Sequence, residues 1–131
     1  MPPPIQAQDH SYEGQAVTHM ARITGNDAVN ITQASLSSIQ LRVTDDDDNV
    51  IATRTLVIAT VVFDTPQKEA DDARWTLDTV GFNFLNQTLM TDLPDGDKLY
   101  KFEYRFRPIS SGPQFHFVRD VVTHNILTTS G

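Results

Sequence analysis

Cysteine is absent from this 131-residue chain. Neither a disulfide framework nor a thiolate zinc site can hold the fold, and thiol nucleophiles are excluded with them. No stretch approaches the roughly 20 apolar residues that span a bilayer. The start, "MPPPIQAQDHSYEGQ", has no basic beginning followed by an apolar run, so neither a membrane anchor nor a secretion signal is expected. Positive charge is scarce as well, ten Lys and Arg against 17 Asp and Glu, for a formal charge of -7. That balance repels phosphates unless the cations gather on one face, and they do not cluster along the sequence, so direct nucleic acid binding is not expected. The six glycines are scattered singly and build no phosphate loop. No internal repeat is visible, and helix-period patterns are nearly missing. What remains is one domain whose stability has to come from ordinary apolar packing.

The pattern that is present is that of strands. From Lys98 to Arg107, "KLYKFEYRFR" sends Tyr100, Phe102, Tyr104 and Phe106 one way and Lys101, Glu103, Arg105 and Arg107 the other. A charged second face marks an antiparallel sheet that is wet on one side, because strands covered on both faces read as continuous apolar runs. "SIQLRVTD" alternates through Ile39, Leu41 and Val43, and "NVIATRTLVI" follows a run of four aspartates, which predicts a hairpin. "QAVTHMARIT" reads as a first strand, and "ITQASLSSI" has room only for a single capped helical turn or a tight connection. "VVFDTP" ends a strand at Pro66, and "QKEADDAR" reads as loop. "GFNFLNQTLM" alternates through Phe82 and Phe84 with Asn83 between them. The last strand, "FHFVRDVVTHNIL", breaks parity and calls for a bulge or a two-sided environment. About seven short strands separated by turns predict an all-β fold, an immunoglobulin-like antiparallel β-sandwich over 16–127. An extended N-terminal arm is expected over 1–15 and a tail over 128–131.

Candidate chemistry is thin. Laid from Asp45 as a calcium loop, the aspartate run puts Asp47 and Asn49 at the third and fifth places, but Val50 replaces the required glycine and Leu56 the required glutamate. Asp and Asn are also what hairpin turns prefer, so a solvated turn is the expectation, and no metal site or cofactor is assigned. His10, His19, His116 and His124 show no zinc spacing, no G-x-S-x-G elbow surrounds a serine, and no catalytic residue is named. Acid pairs such as Asp64 with Asp78 could flank a sugar bond, although any acidic chain supplies such pairs. Trp75, with Tyr12 as an exposed partner, could form a sugar-stacking platform; Phe82 and Phe84 are expected in the core. The triplets Asn30-Ile31-Thr32 and Asn86-Gln87-Thr88 match a glycosylation pattern that matters only in a secreted eukaryotic chain.

The order of "RITGNDAVNITQASLSSIQLRV", "VVFDTPQ", "RWTLDTVGFNF", "DGDKLYKFEYRFRP" and "PQFHFVRDVV" resembles small structural proteins of tailed phages and prophages, in particular the N-terminal domain of phage baseplate upper proteins. The likeness runs from about Ala21 to Val122 and includes no catalytic signature. It implies a noncatalytic β-sandwich assembly module of a virion, a homo-oligomer whose partners are other virion proteins and its own copies. The expected location is the virion, or otherwise the cytoplasm. The chain ends at Gly131 soon after the sandwich, so capsid-decoration, neck and tail-accessory roles stand beside a baseplate one. On this reading the arm residues Pro2, Pro3, Pro4, Ile5, Gln6, Ala7 and Gln8, with Thr128 to Gly131, make contacts between subunits. A carbohydrate-binding or host-adhesion module using Trp75 and Tyr12 is the alternative.

Overall fold

The computed structural model describes residues 9–12, 14–25, 29–68, 81–109 and 113–124. Its strands are β1 (Asp9–Tyr12), β2 (Thr18–Ala21), β3 (Leu36–Asp45), β4 (Val50–Leu56), β5 (Val62–Gln67), β6 (Phe82–Gln87), β7 (Leu99–Pro108) and β8 (Phe115–His124). A single helical turn, α1 (Ile58–Val61), links β4 to β5, and 3₁₀ turns lie at Gln33–Ser35 and Met90–Asp92. Five strands form one sheet in the order β1-β8-β7-β3-β4, and three form another in the order β2-β6-β5.

The alternation of β7 explains its central place. Tyr100, Phe102, Tyr104 and Phe106 are fully buried, while Lys101, Arg105 and Arg107 are exposed. Each ring removed from water stabilises the fold by about 1.5–3 kcal/mol. Ile39, Leu41 and Val43 of β3 join them from beside, and Phe84 and Val62 meet them from the opposite sheet in one continuous core. The expected all-β sandwich is therefore what the structure shows, and β2 to β8 supply its seven antiparallel strands. Its strand order has one feature of its own. The second strand of an immunoglobulin constant domain pairs within the first, fifth and fourth strands' sheet, whereas β3 here lies between β4 and β7.

Several local differences have physical causes. Asp9–Tyr12, inside the stretch expected as an extended arm, is seated parallel to β8 as an eighth strand. Residues 1–8 and 13 of that arm and the 128–131 tail lie outside the described residues. The run "NVIATRTLVI" does not stay extended: β4 stops at Leu56, and α1 carries the chain across to the other sheet, burying Val61. The expected turn in "ITQASLSSI" forms at Gln33–Ser35, where the Thr32 N–H donates to Ser35 Oγ and that hydroxyl donates back to the Thr32 carbonyl. β8 keeps an unbroken register with β7 from Phe106↔Phe115 to Leu99↔Val122, so the two-sided environment applies to it. Pro66 is tolerated because β5 is an edge strand.

Polar groups join the two layers. The Tyr104 ring crosses from β7 and places its hydroxyl 2.6 Å from His19 Nδ1, while Asn86 Nδ2 donates to the same oxygen at 3.0 Å. His19 and Asn86 are themselves a cross-strand pair of β2 and β6. Asn83 is buried rather than solvent-facing, because its amide accepts from the Ile23 N–H at 2.7 Å and donates to the Ile23 carbonyl at 2.9 Å, replacing a strand pairing. At Gly81 the backbone has φ +105°, and an added Cβ would collide with the Gln67 carbonyl oxygen. Only glycine enters β6 there without strain.

Two substitutions test this packing by chemical denaturation. Tyr104→Phe keeps the ring but removes the oxygen that Asn86 and His19 address, and is expected to cost about 1–3 kcal/mol. Gly81→Ala is expected to cost about 1–3 kcal/mol through its backbone conformation alone, with the Gln67 collision adding to it. Unchanged midpoints would show that the layers are held some other way.

Candidate functional site

The same alternation that fills the core lays out a polar surface on the other side of the five-stranded sheet. β7 contributes Lys101, Glu103, Arg105 and Arg107, and the register of β3 brings Arg42 opposite Glu103, Gln40 opposite Arg105 and Ser38 opposite Arg107. On the other flank His116 lies opposite Arg105 and Asp120 opposite Lys101. Four of the chain's ten Lys and Arg thus share one face, with Glu103 and Asp120 between them. The signal for this gathering is residue parity along β7 and not a basic run, which is why the cations look dispersed in sequence.

The charges on this face divide into two kinds. Arg42 Nη2 donates to Glu103 Oε1 at 2.9 Å, and His116 Nδ1 lies 3.6 Å from the other Glu103 oxygen, so this carboxylate is engaged. Arg105 and Arg107 have neutral neighbours instead. Arg105 Nη2 donates to Gln40 Oε1 at 2.6 Å. Gln114, with its amide oxygen turned toward Arg107, accepts from Nε at 3.2 Å and Nη2 at 3.3 Å. Among the described residues neither guanidinium is ion-paired to a carboxylate. Ser38, Gln40, Arg105, Arg107 and Gln114 line a depression of about 110 Å³. It adjoins a wider one of about 310 Å³ that runs past Arg42, Thr53, Thr55 and Glu103. A planar guanidinium fork held open in this way suits a carboxylate or another oxyanion.

The aspartate run closes the β3–β4 hairpin, and its first member is not solvated. Asp45 is buried, and its Oδ1 accepts the N–H groups of Asp47 and Asn49, both at 2.9 Å, while Oδ2 takes Asn49 Nδ2 at 3.2 Å. Lys98 Nζ approaches Oδ2 at 3.7 Å. Asp45, Asp46 and Asp47 could bring one oxygen each within 4.8 Å of one another. Asp45 already uses both oxygens to cap the turn, so the cluster reads as turn chemistry and carries no metal assignment. The Asn49 N–H, followed by the other turn donors and Lys98, holds the Asp45 carboxyl below its ordinary range. Burial works against the charged form of Lys98, but Asp45 and Asp95 outweigh it and hold the ammonium above its ordinary value. Asp46, Asp47 and Asp48 remain exposed, with Asp48 at φ 63°.

Other candidates scatter. Pro2 to Gln8, Thr128 to Gly131, Trp75 and Asp78 lie outside the described residues. Tyr12 is 52% exposed and meets the exposed His124 ring edge-on, with the ring centroids 6.3 Å apart. Phe82 and Phe84 are in the core as expected. His19 is in the core too, while His116 and His124 are exposed on the outer face. Asp64 is exposed and accepts the Gln33 N–H at 2.7 Å. Asp92 is buried and takes a two-pronged bond from Arg54, at 2.8 and 2.6 Å, with the Leu89 N–H at 2.9 Å. That carboxylate is the main cause holding Arg54 above its ordinary value, and the pair ties β4 to the Met90–Asp92 turn between β6 and β7. Asn86 directs its amide into the core, so the second glycosylation triplet is not accessible in the folded chain.

The Asp45 cap gives a pH prediction. Its folded value is depressed, so its contribution is present above the ordinary value of 3.8 and is lost as pH falls through the lower folded value. Asp45→Asn should be less stable than the wild type at neutral pH, and the two unfolding midpoints should converge in acid. A difference that stays constant with pH would remove the charge from the explanation.

No protein-family model, curated protein or solved structure matches this chain.

Proposed function

We propose that this chain is a noncatalytic structural subunit of a tailed-phage virion, a capsid-decoration, neck or tail/baseplate accessory protein. It assembles through the outside of its sandwich. The observation that supports this reading best is the placement of the buried carboxylates. Asp45 caps a turn, Asp92 is bonded to Arg54 and the Leu89 N–H, and the two side chains sit in different elements. Groups used in this way are not poised to move protons to a substrate.

The exterior supports assembly. β4 is one of the two outer strands of the five-stranded sheet, rich in β-branched residues and free of Lys and Pro, its one charged residue, Arg54, bonded to Asp92, with Val50 at its start and Val57 just past its end exposed. Natural proteins usually blunt such an edge with charge or proline, so an edge without a strand partner among the described residues suits an added strand from a neighbour. The arm Pro2 to Gln8 and the tail Thr128 to Gly131 are the proposed contacts between subunits, reaching other virion proteins and copies of this chain. The virion assignment itself rests on the phage resemblance of the sequence.

Light scattering on the purified chain across a concentration series should give masses that are multiples of the protomer. A chain that stays monomeric at millimolar concentration and never co-purifies with particles would overturn the proposal. So would glycan binding that is lost on Trp75→Ala, which would assign a carbohydrate-binding module instead.

A further inference from the structure

We infer that the depression formed by Ser38, Gln40, Arg105, Arg107 and Gln114 receives the exposed carboxylates of the Asp46–Asp48 turn of a second copy, linking subunits head to tail. This deepens the assembly reading and rests on it. Three observations carry it. Arg105 and Arg107 are steadied by amides and have no carboxylate partner among the described residues, so their charge is available to a ligand. Asp46, Asp47 and Asp48 are exposed, and the Asp45 cap fixes the turn that presents them. A carboxylate held on an ordered backbone loses less conformational freedom on docking.

The third observation is separation. The residues opposite the two arginines, Gln40 and Ser38, lie five and seven positions before Asp45 on the same strand, which at ~3.3 Å per residue is about 17–23 Å. A chain's own turn cannot fold back over that distance, so the occupant has to come from another molecule. The two surfaces are different patches, and such a contact is heterologous, generating rings or filaments instead of a closed pair. Nucleic acid offers oxyanions as well, but a chain of net charge -7 repels a long polyanion, whereas one acidic turn presents only local charge.

The test is sedimentation of the full chain, its Arg105→Glu/Arg107→Glu variant, its Asp46→Lys/Asp47→Lys variant, and an equal mixture of the two variants. The wild type should associate at low salt, and each variant alone should associate roughly tenfold or more weakly. The mixture should form one-to-one pairs, since the first variant keeps the native acidic turn and the second keeps the native depression that receives it. Should a variant fail to fold, the wild type still decides the matter. Its association has to weaken steeply between about 0.05 and 0.5 M NaCl, and inorganic phosphate has to compete with it. Association that ignores salt, phosphate and both variants would overturn this contact while leaving the assembly reading standing. A wild type that is monomeric at low salt would overturn this contact, and the assembly reading would fall with it only if the chain also never co-purifies with particles. DNA binding by a monomeric chain, abolished by Arg105→Glu/Arg107→Glu, would assign the face to nucleic acid instead.

Discussion

One constraint organises this molecule, the two-residue period of β7. With four rings on one side and four charged residues on the other, a slip of a single position would drive Lys101, Glu103, Arg105 and Arg107 into the core. That penalty sets the register of the five-stranded sheet. The Tyr104 hydroxyl then extends the specification to the second sheet, because its oxygen meets a His19–Asn86 pair that exists only when β2 and β6 are in their own register. Apolar filling alone would let the layers slide. A directional bond between them selects one arrangement.

The sequence was informative where one periodic signal dominated. β7, the β3–β4 hairpin, the turn at Gln33–Ser35 and the two-layer class all follow from alternation and turn chemistry. Legibility ended where tertiary contacts decide. Nothing local marks Ile58–Val61 as helical, since "IATVV" is β-branched, and the need to change sheets overrides that propensity. Asn83 looks like an outward residue until Ile23 covers it. Asp45 looks as solvated as its three neighbours, yet it is the one that caps the turn. The β1 pairing cannot be read from four residues with no alternation of their own.

The candidate surface shows the same division. Each residue of the outer face could be assigned to that face from parity, and the hairpin turn from its aspartates. Which guanidinium has a carboxylate partner depends on strand order. Arg42 meets Glu103 only because β3 lies beside β7, while Gln40 and Gln114 flank the other two arginines, whose charge has no carboxylate partner among the described residues. An acidic chain thereby carries a local cationic site and, at the end of the same sheet, a local anionic one.

The absence of cysteine permits a direct measurement, because a spin label can be placed at one position through Val50→Cys, next to the acidic turn. Labelled chains of natural isotopic abundance would be mixed with unlabelled ¹⁵N-enriched chains, so that only contacts between molecules broaden the observed amide signals. Broadening centred on Gln40, Arg105 and Arg107 is the predicted result. Signals there that stay sharp while the chains are demonstrably associated would contradict it.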